Sequence, residues 1–170
     1  IKGYLSYTLS KSKSIYVNYD YQVNLPNANQ ILPVENLSNP VSTFVGNSNL
    51  TPNKYHTLFV NFRNFKAATK SGYRLFANGS FYESQIVSST TFNANSTRIT
   101  TYENMAGTYS STFGGSYNKT IKKEAHTFKY GFGFYNNVGL SKGITNDIAF
   151  KASALQLSPN VNFNYEYGTL

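Results

Sequence analysis

Apolar and polar residues alternate along most of the chain, most strictly between residues 14 and 23. One side of this segment holds Ile15, Val17, Tyr19, Tyr21 and Val23, and the other holds Tyr16, Asn18, Asp20 and Gln22. A repeat of two residues is the period of a β-strand, whose successive side chains point to opposite faces. The stretch therefore predicts a strand with one apolar and one polar face.

The same alternation recurs elsewhere, and it predicts strands over 3–9, 14–23, 55–65, 72–92, 97–117, 126–140 and 148–168. Short lysine-containing turns follow the first, third and fifth strands, at 10–13, 66–71 and 118–125. Longer loops or reversals follow the others, at 24–54, 93–96 and 141–147, and four of the five prolines lie in the first of these. Alternate connections of an antiparallel meander lie at opposite ends. We therefore predict an all-β, antiparallel up-and-down meander of about seven strands, with residues 1–170 forming a single segment.

Composition bears on what covers the apolar face. A soluble β-sandwich alternates in the same way, but here the polar face is mostly Asn, Ser, Thr, Gln and Tyr, and only 13% of the chain is charged. Several predicted strands approach 20 residues, whereas strands of globular proteins commonly have about 5–6. Because about 9–11 tilted residues cross a bilayer, these features favour a transmembrane β-barrel.

Closure of such a barrel requires more strands than this chain predicts. Single-chain bacterial barrels have an even number of strands, and each unpaired backbone group in lipid costs several kcal/mol. Seven antiparallel strands leave the first and last strands parallel to each other and unpaired. We therefore expect the chain to be part of a larger transmembrane β-barrel.

The charge and the reactive residues limit the function classes. The net charge is +8, which is compatible with nucleic acid, an anionic membrane surface or an anionic ligand. The lysines are scattered over turns, so no nucleic-acid partner is expected. Cysteine is absent, which excludes thiolate sites and Cys nucleophiles in this sequence. His56 and His126 are predicted at opposite ends of the sheet, and the carboxylates are scattered, so we expect no metal, no cofactor, no catalytic residues and no enzyme activity.

If the polar face lines a barrel lumen, its polar members are the candidates for contact with a substrate. They are Asn18, Asp20, Asn61, Arg63, Arg74, Asn78, Tyr82 and Glu166. Arg63 and Arg74 are predicted on neighbouring strands near the same end, where they could hold an anion or remain solvated charges. Tyrosines near strand ends suit the aromatic girdles of a membrane barrel, although tyrosine is also enriched in ordinary strands; they are Tyr19, Tyr21, Tyr55, Tyr117, Tyr165 and Tyr167.

The stretch VGNSNLTP, residues 45–52, carries a resemblance to a known family. Gly-Asn-x-Asn-Leu-x-Pro just before a strand resembles a motif of TonB-dependent receptors of Bacteroidota, in their outer-membrane β-barrel. Ser48 stands where that motif usually has Pro, and Asn53 stands where it usually has Glu. The motif residues here are Gly46, Asn47, Asn49, Leu50 and Pro52. We interpret the loop as a shaped entry to the next strand, in which Gly46 and the asparagines tolerate positive φ.

The resemblance implies a barrel of roughly 22 strands closed by a plug domain, in the bacterial outer membrane. It implies substrate binding by extracellular loops and plug, uptake without covalent chemistry, and a carboxylate of the plug as one ligand for the two arginines. The implied partners are outer-membrane lipid and lipopolysaccharide, the plug and the remaining strands, which this segment lacks, and TonB through a missing N-terminal part. Two alternatives stay open: an export-associated or structural barrel that binds partner proteins, and a soluble β-sandwich module that binds carbohydrate.

Overall fold

A computed structural model describes residues 1–34, 41–93 and 97–168. Within these ranges, nine strands and one short helix follow one another as β1 (Lys2–Ser10), β2 (Lys13–Asn24), α1 (Ala28–Ile31), β3 (Ser42–Phe44), β4 (Asn53–Lys66), β5 (Ser71–Phe92), β6 (Arg98–Met105), β7 (Thr108–Lys123), β8 (His126–Thr145) and β9 (Ile148–Tyr167). No helix in these ranges is long and apolar enough to span a bilayer.

All nine strands belong to one sheet, whose main path is β1-β2-β4-β5-β7-β8-β9. Every neighbouring pair on this path is antiparallel, which confirms the predicted meander of seven long strands. The edges formed by β1 and β9 remain open, so the seven strands make part of a barrel. In the described ranges no second sheet covers the apolar face, and Phe132 and Phe163 are 58% and 68% exposed. The β-sandwich alternative is therefore wrong.

The strand predicted over 97–117 is two strands, β6 and β7, which are separated at residues 106–107. Gly107 has a φ of +75°, a left-handed conformation that glycine adopts without steric cost. Below this point β7 pairs with β5 as far as Tyr82, whereas β6 pairs with β5 from Gln85 onward. At Ser89 and Thr90 the upper end of β8 pairs in parallel with β5, along the edge opposite to β6. The chain therefore crosses β5 between β6 and β7.

Two connections are shorter than the sequence indicates. β7 continues to Lys123 and β8 to Thr145, so each turn has two residues, 124–125 and 146–147. The predicted turns, 118–125 and 141–147, were too long because their polar residues pair with the neighbouring strand. The loop over 24–54 contains α1, which Asn27 and Gln30 cap reciprocally, and β3. Part of that loop, 35–40, and most of the reversal at 93–96 lie outside the described residues.

The turns after β1, β4 and β7 are offset progressively along the strand direction from one hairpin to the next. Lys13, beside the first turn, is level with Tyr117 through the pairs with Asn64 and Tyr73. The third turn, beside Lys123, lies six residues beyond the level of Tyr117, and it is four strand spacings away from the first turn. With a rise of about 3.3 Å per residue and a spacing of about 4.8 Å between strands, this stagger corresponds to a tilt of about 45°. Strands of closed barrels tilt by a similar angle.

Candidate functional site

The register of the sheet separates the side chains into two faces, because residues paired across neighbouring strands point to the same side. One register row contains Val17, Val60, Ala77, Phe113, Asn136 and Leu157; it is apolar except for the buried Asn136, and we call its side the apolar face. We call the opposite side the polar face. The eight predicted candidates all lie on it: Asn18, Asp20, Asn61, Arg63, Arg74, Asn78, Tyr82 and Glu166.

These eight residues do not form one cluster. Asp20 and Tyr82 lie toward the loop end, where β2 leads into the long connection. Asp20 is 8% exposed; its Oδ2 accepts a hydrogen bond from Gln22 Nε2 at 2.8 Å and lies 3.6 Å from Lys2 Nζ. Asp20 Oδ1 is buried without a hydrogen-bond partner among the described residues. Gln22 and Lys2 therefore hold the Asp20 carboxylate in place at this end of the polar face.

Tyr55 also lies on the polar face, which corrects its assignment to an outer girdle. Its hydroxyl donates to Gln22 Oε1 at 2.7 Å, and its ring stacks on Tyr82 at a centroid distance of 5.0 Å. The prediction placed Tyr55 by its position at a strand start, but residue parity decides the face. The other five tyrosines of the predicted girdles lie on the apolar face: Tyr19, Tyr21, Tyr117, Tyr165 and Tyr167.

Glu166 lies far from the arginines and has its own cation. Lys129 Nζ donates to Glu166 Oε1 at 2.5 Å, and Asn164 Nδ2 donates to the same oxygen at 3.1 Å. Both charged side chains are about half exposed, and such surface pairs contribute about 0–1 kcal/mol. The Glu166 carboxylate is therefore already neutralised by a neighbour on β8.

Arg63 and Arg74 come together at the end with the tight turns. They are directly paired across β4 and β5, in a concavity of about 670 Å³. Lys11, Lys13 and Lys70 also line it, and none of its described lining residues is acidic. Sequence reasoning missed these lysines, because they were assigned to solvated turns. Their signal is that the turns after β1, β4 and β7, by topology, lie at the same end.

Two neighbours hold the Arg74 side chain in place. Arg74 Nε donates to Asn61 Oδ1 at 2.6 Å, and the guanidinium lies over the Phe76 ring at 5.6 Å from its centroid. Phe76 in turn contacts Tyr135 at 6.0 Å, across Gly114. A Cβ on Gly114 would lie 2.5 Å from Phe134 O and 2.8 Å from Phe76 Cζ, so glycine makes room for this aromatic contact.

The motif loop fastens several segments to the start of β4. Asn47 Nδ2 donates to Tyr102 O at 2.8 Å, and its Oδ1 accepts from Asn49 N at 2.9 Å. Thr51 and Asn104 exchange two hydrogen bonds, at 2.8 Å and 2.9 Å. Leu50 N approaches Asn47 O at 3.4 Å within the same loop, and Pro52 immediately precedes β4. The loop thus ties β6 and β4 together.

The reason for glycine at position 46 differs from the one that the sequence suggested. Gly107 is the positive-φ glycine of the described chain, and Gly46, Asn47 and Asn49 do not have positive φ. Gly46 N donates to Leu32 O at 3.1 Å, and a Cβ would overlap that oxygen and lie 2.8 Å from Leu32 C. Close approach of two backbone segments, and not a left-handed conformation, requires glycine here.

The two histidines lie at opposite ends of the apolar face, and each forms a hydrogen bond with a tyrosine. His56 Nδ1 is 2.6 Å from Tyr19 Oη and His126 Nδ1 is 2.7 Å from Tyr165 Oη. His56 Nε2 also lies 2.8 Å from Glu83 Oε1. The described side chains contain no group of three or more residues suited to hold a metal ion. These contacts make each histidine a member of an aromatic cluster.

Comparison with known proteins gives one result that covers nearly the whole chain. A family model described as the outer membrane protein beta-barrel family matches residues 2–169. No curated protein and no solved structure gives a significant match.

Proposed function

The chain belongs to the outer membrane protein beta-barrel family and lies in the outer membrane, and on that premise we propose that it forms part of the barrel of a TonB-dependent receptor. In this proposal the barrel binds a substrate and mediates its uptake without covalent chemistry. The partners are outer-membrane lipid and lipopolysaccharide, a plug domain with the remaining strands, and TonB. The host is a member of the Bacteroidota.

The observation that carries the proposal is the motif loop together with the strand it begins. Gly46, Asn47, Asn49, Leu50 and Pro52 match the receptor motif in sequence, and their contacts bind β6 to β4. The polar face supports a passage, because a wall of amides, hydroxyls and charges suits a hydrated lumen. The apolar face suits hydrocarbon on the other side.

A second candidate is an export-associated or structural barrel that binds partner proteins. The extra strands β3 and β6 favour it, because they add to the sheet at the loop end, where β5, β8 and β9 reach 20–22 residues. About 9–11 residues suffice to cross the bilayer. The surplus forms a protein wall beyond the membrane, which is a surface that a partner protein could contact.

Growth of the source bacterium distinguishes the two candidates. A strain that lacks the full-length gene is grown with ferric chelates, haem, glycans or peptides as the limiting nutrient. We expect growth on one of these to be lost, restored by the full-length gene, and lost again when TonB is removed. Restored growth without TonB, or full growth of the deletion strain on all four nutrients, would contradict the uptake proposal.

A further inference from the structure

We propose that the concavity around Arg63 and Arg74 binds an oxyanion, either a carboxylate or a phosphate group. The inference rests on family membership and on the geometry of the described residues, and it does not depend on uptake. A carboxylate of a protein segment inside the barrel and a small soluble anion offer the same chemistry, and the experiment below separates them.

The two arginines of the concavity have an unfavourable charge arrangement. Arg63 and Arg74 are directly paired across antiparallel strands, where Cβ atoms lie about 4.5–5.5 Å apart and like charges are destabilising. Arginine carries a fixed positive charge in proteins. Within the described ranges neither arginine forms an ion pair with a carboxylate. An anion between the two side chains would offset this repulsion.

Hydrogen-bond donors lie side by side along one register row of the concavity. Ser14, Arg63, Arg74 and Ser116 occupy one register row, so two hydroxyls flank two guanidinium groups on the polar face. Asn61 and Phe76 already hold Arg74. Because a guanidinium can bind the two oxygens of a carboxylate or phosphate together, this row forms a prearranged oxyanion site.

No acidic residue is among the described lining of the concavity, and three carboxylates that lie elsewhere on the sheet have contacts of their own. Asp20 contacts Lys2 and Gln22, Glu83 contacts His56, and Glu166 contacts Lys129. Lys11 and Lys70 also line the concavity, and its volume of about 670 Å³ admits a small anion or an acidic side chain from another segment. A counter-charge in the concavity would therefore come from outside its described lining residues.

The test compares the unfolding temperature of three full-length proteins in detergent, in phosphate and in chloride at equal ionic strength. They are the unchanged protein, Arg63→Gln/Arg74→Gln, and the control Lys54→Gln/Lys151→Gln. The control also removes two positive charges, from exposed residues that do not line the concavity. If a soluble anion binds, phosphate raises the unfolding temperature of the unchanged protein and of the control by a few degrees, but not that of the arginine variant.

If a carboxylate of the protein already fills the site, phosphate has no effect and the arginine variant unfolds several degrees below the control. Arg63→Lys/Arg74→Lys should then recover part of the loss, because it retains the charges. The proposal is overturned if phosphate shifts all proteins equally. It is also overturned if phosphate has no effect and the arginine variant is as stable as the control.

Discussion

At Gly46 two backbone segments approach so closely that a side chain has no room. The Gly46 amide donates to Leu32 O, and the atoms that a Cβ would meet all belong to the Leu32 main chain. Main-chain atoms cannot rotate away as the end of a side chain can. The glycine therefore fixes how closely the segment after α1 packs against the motif loop.

Replacement of Gly46 by Ala in the full-length protein is expected to lower the free energy of unfolding by about 1–3 kcal/mol, the usual cost of overpacking. The measurement is urea unfolding in detergent. The control is Gly3→Ala, because a Cβ at Gly3 meets nothing within 4 Å, and surface changes of this kind stay within about 0.5 kcal/mol. Equal stability of the two variants would contradict this account.

The β8–β9 hairpin shows how one element is fixed by a two-residue turn. Asn146 and Asp147 have φ values of 49° and 63°, and two positive φ values match the turn type that suits the twist of paired strands. Asn146 N also donates to Thr90 O, and its Oδ1 accepts from Phe92 N. The turn therefore connects the hairpin to the upper end of β5.

Replacement of Asp147 by Gly is expected to stabilise the full-length protein by about 0.5–1 kcal/mol, because glycine adopts positive φ at no steric cost. Asp147→Val should destabilise it, since a β-branched residue resists that conformation. Thermal unfolding of both variants in detergent provides the measurement. If the glycine and valine variants unfold at the same temperature, the turn conformation does not contribute to stability.

Alternation was sufficient to predict the elements, but not their interruptions. It identified all seven long strands, since each keeps a period of two residues. It missed the crossing at 106–107, because a pattern along one chain segment does not show which edge of β5 that segment pairs with on either side of Gly107. It also misplaced the turns at Glu124 and Asn146. Polar residues such as Asn118 and Ser141 resemble turn residues by composition, yet they pair in the sheet.

The candidate site was predictable as a face, but not as a cluster. Parity along each strand was enough to collect the eight candidates on one side. Which of them meet depends on the register between strands, and the register pairs Arg63 with Arg74 while it leaves Glu166 beside Lys129. The turn lysines Lys11 and Lys70 enter the concavity through the positions of the turns, which no pattern within a single strand contains.

At the scale of the whole molecule, the apolar face should meet hydrocarbon and the polar face should meet water. Ser111 and Ser110 provide a matched test, because they are neighbours on β7 that lie on the apolar and the polar face, respectively. Ser111→Arg is expected to cost about 2–4 kcal/mol, as charged residues do on the lipid side of such barrels near the bilayer midplane. Ser110→Arg should be nearly neutral.

Urea unfolding of the full-length protein in lipid vesicles measures both variants. The same comparison in a detergent micelle serves as a control for general misfolding. If Ser110→Arg proves the more costly of the two, the assignment of the faces to lipid and water is reversed.

The two open edges limit what can complete the ring. β1 and β9 point the same way, because six antiparallel steps separate them. A complement that keeps every contact antiparallel must therefore contribute an odd number of strands. Two copies of this seven-strand unit would total an even number, but β9 of one would meet β1 of the other in the same direction at both seams. Assembly of two copies of this unit is thus a poor way to close the barrel, and a segment of different sequence has to supply the remaining strands.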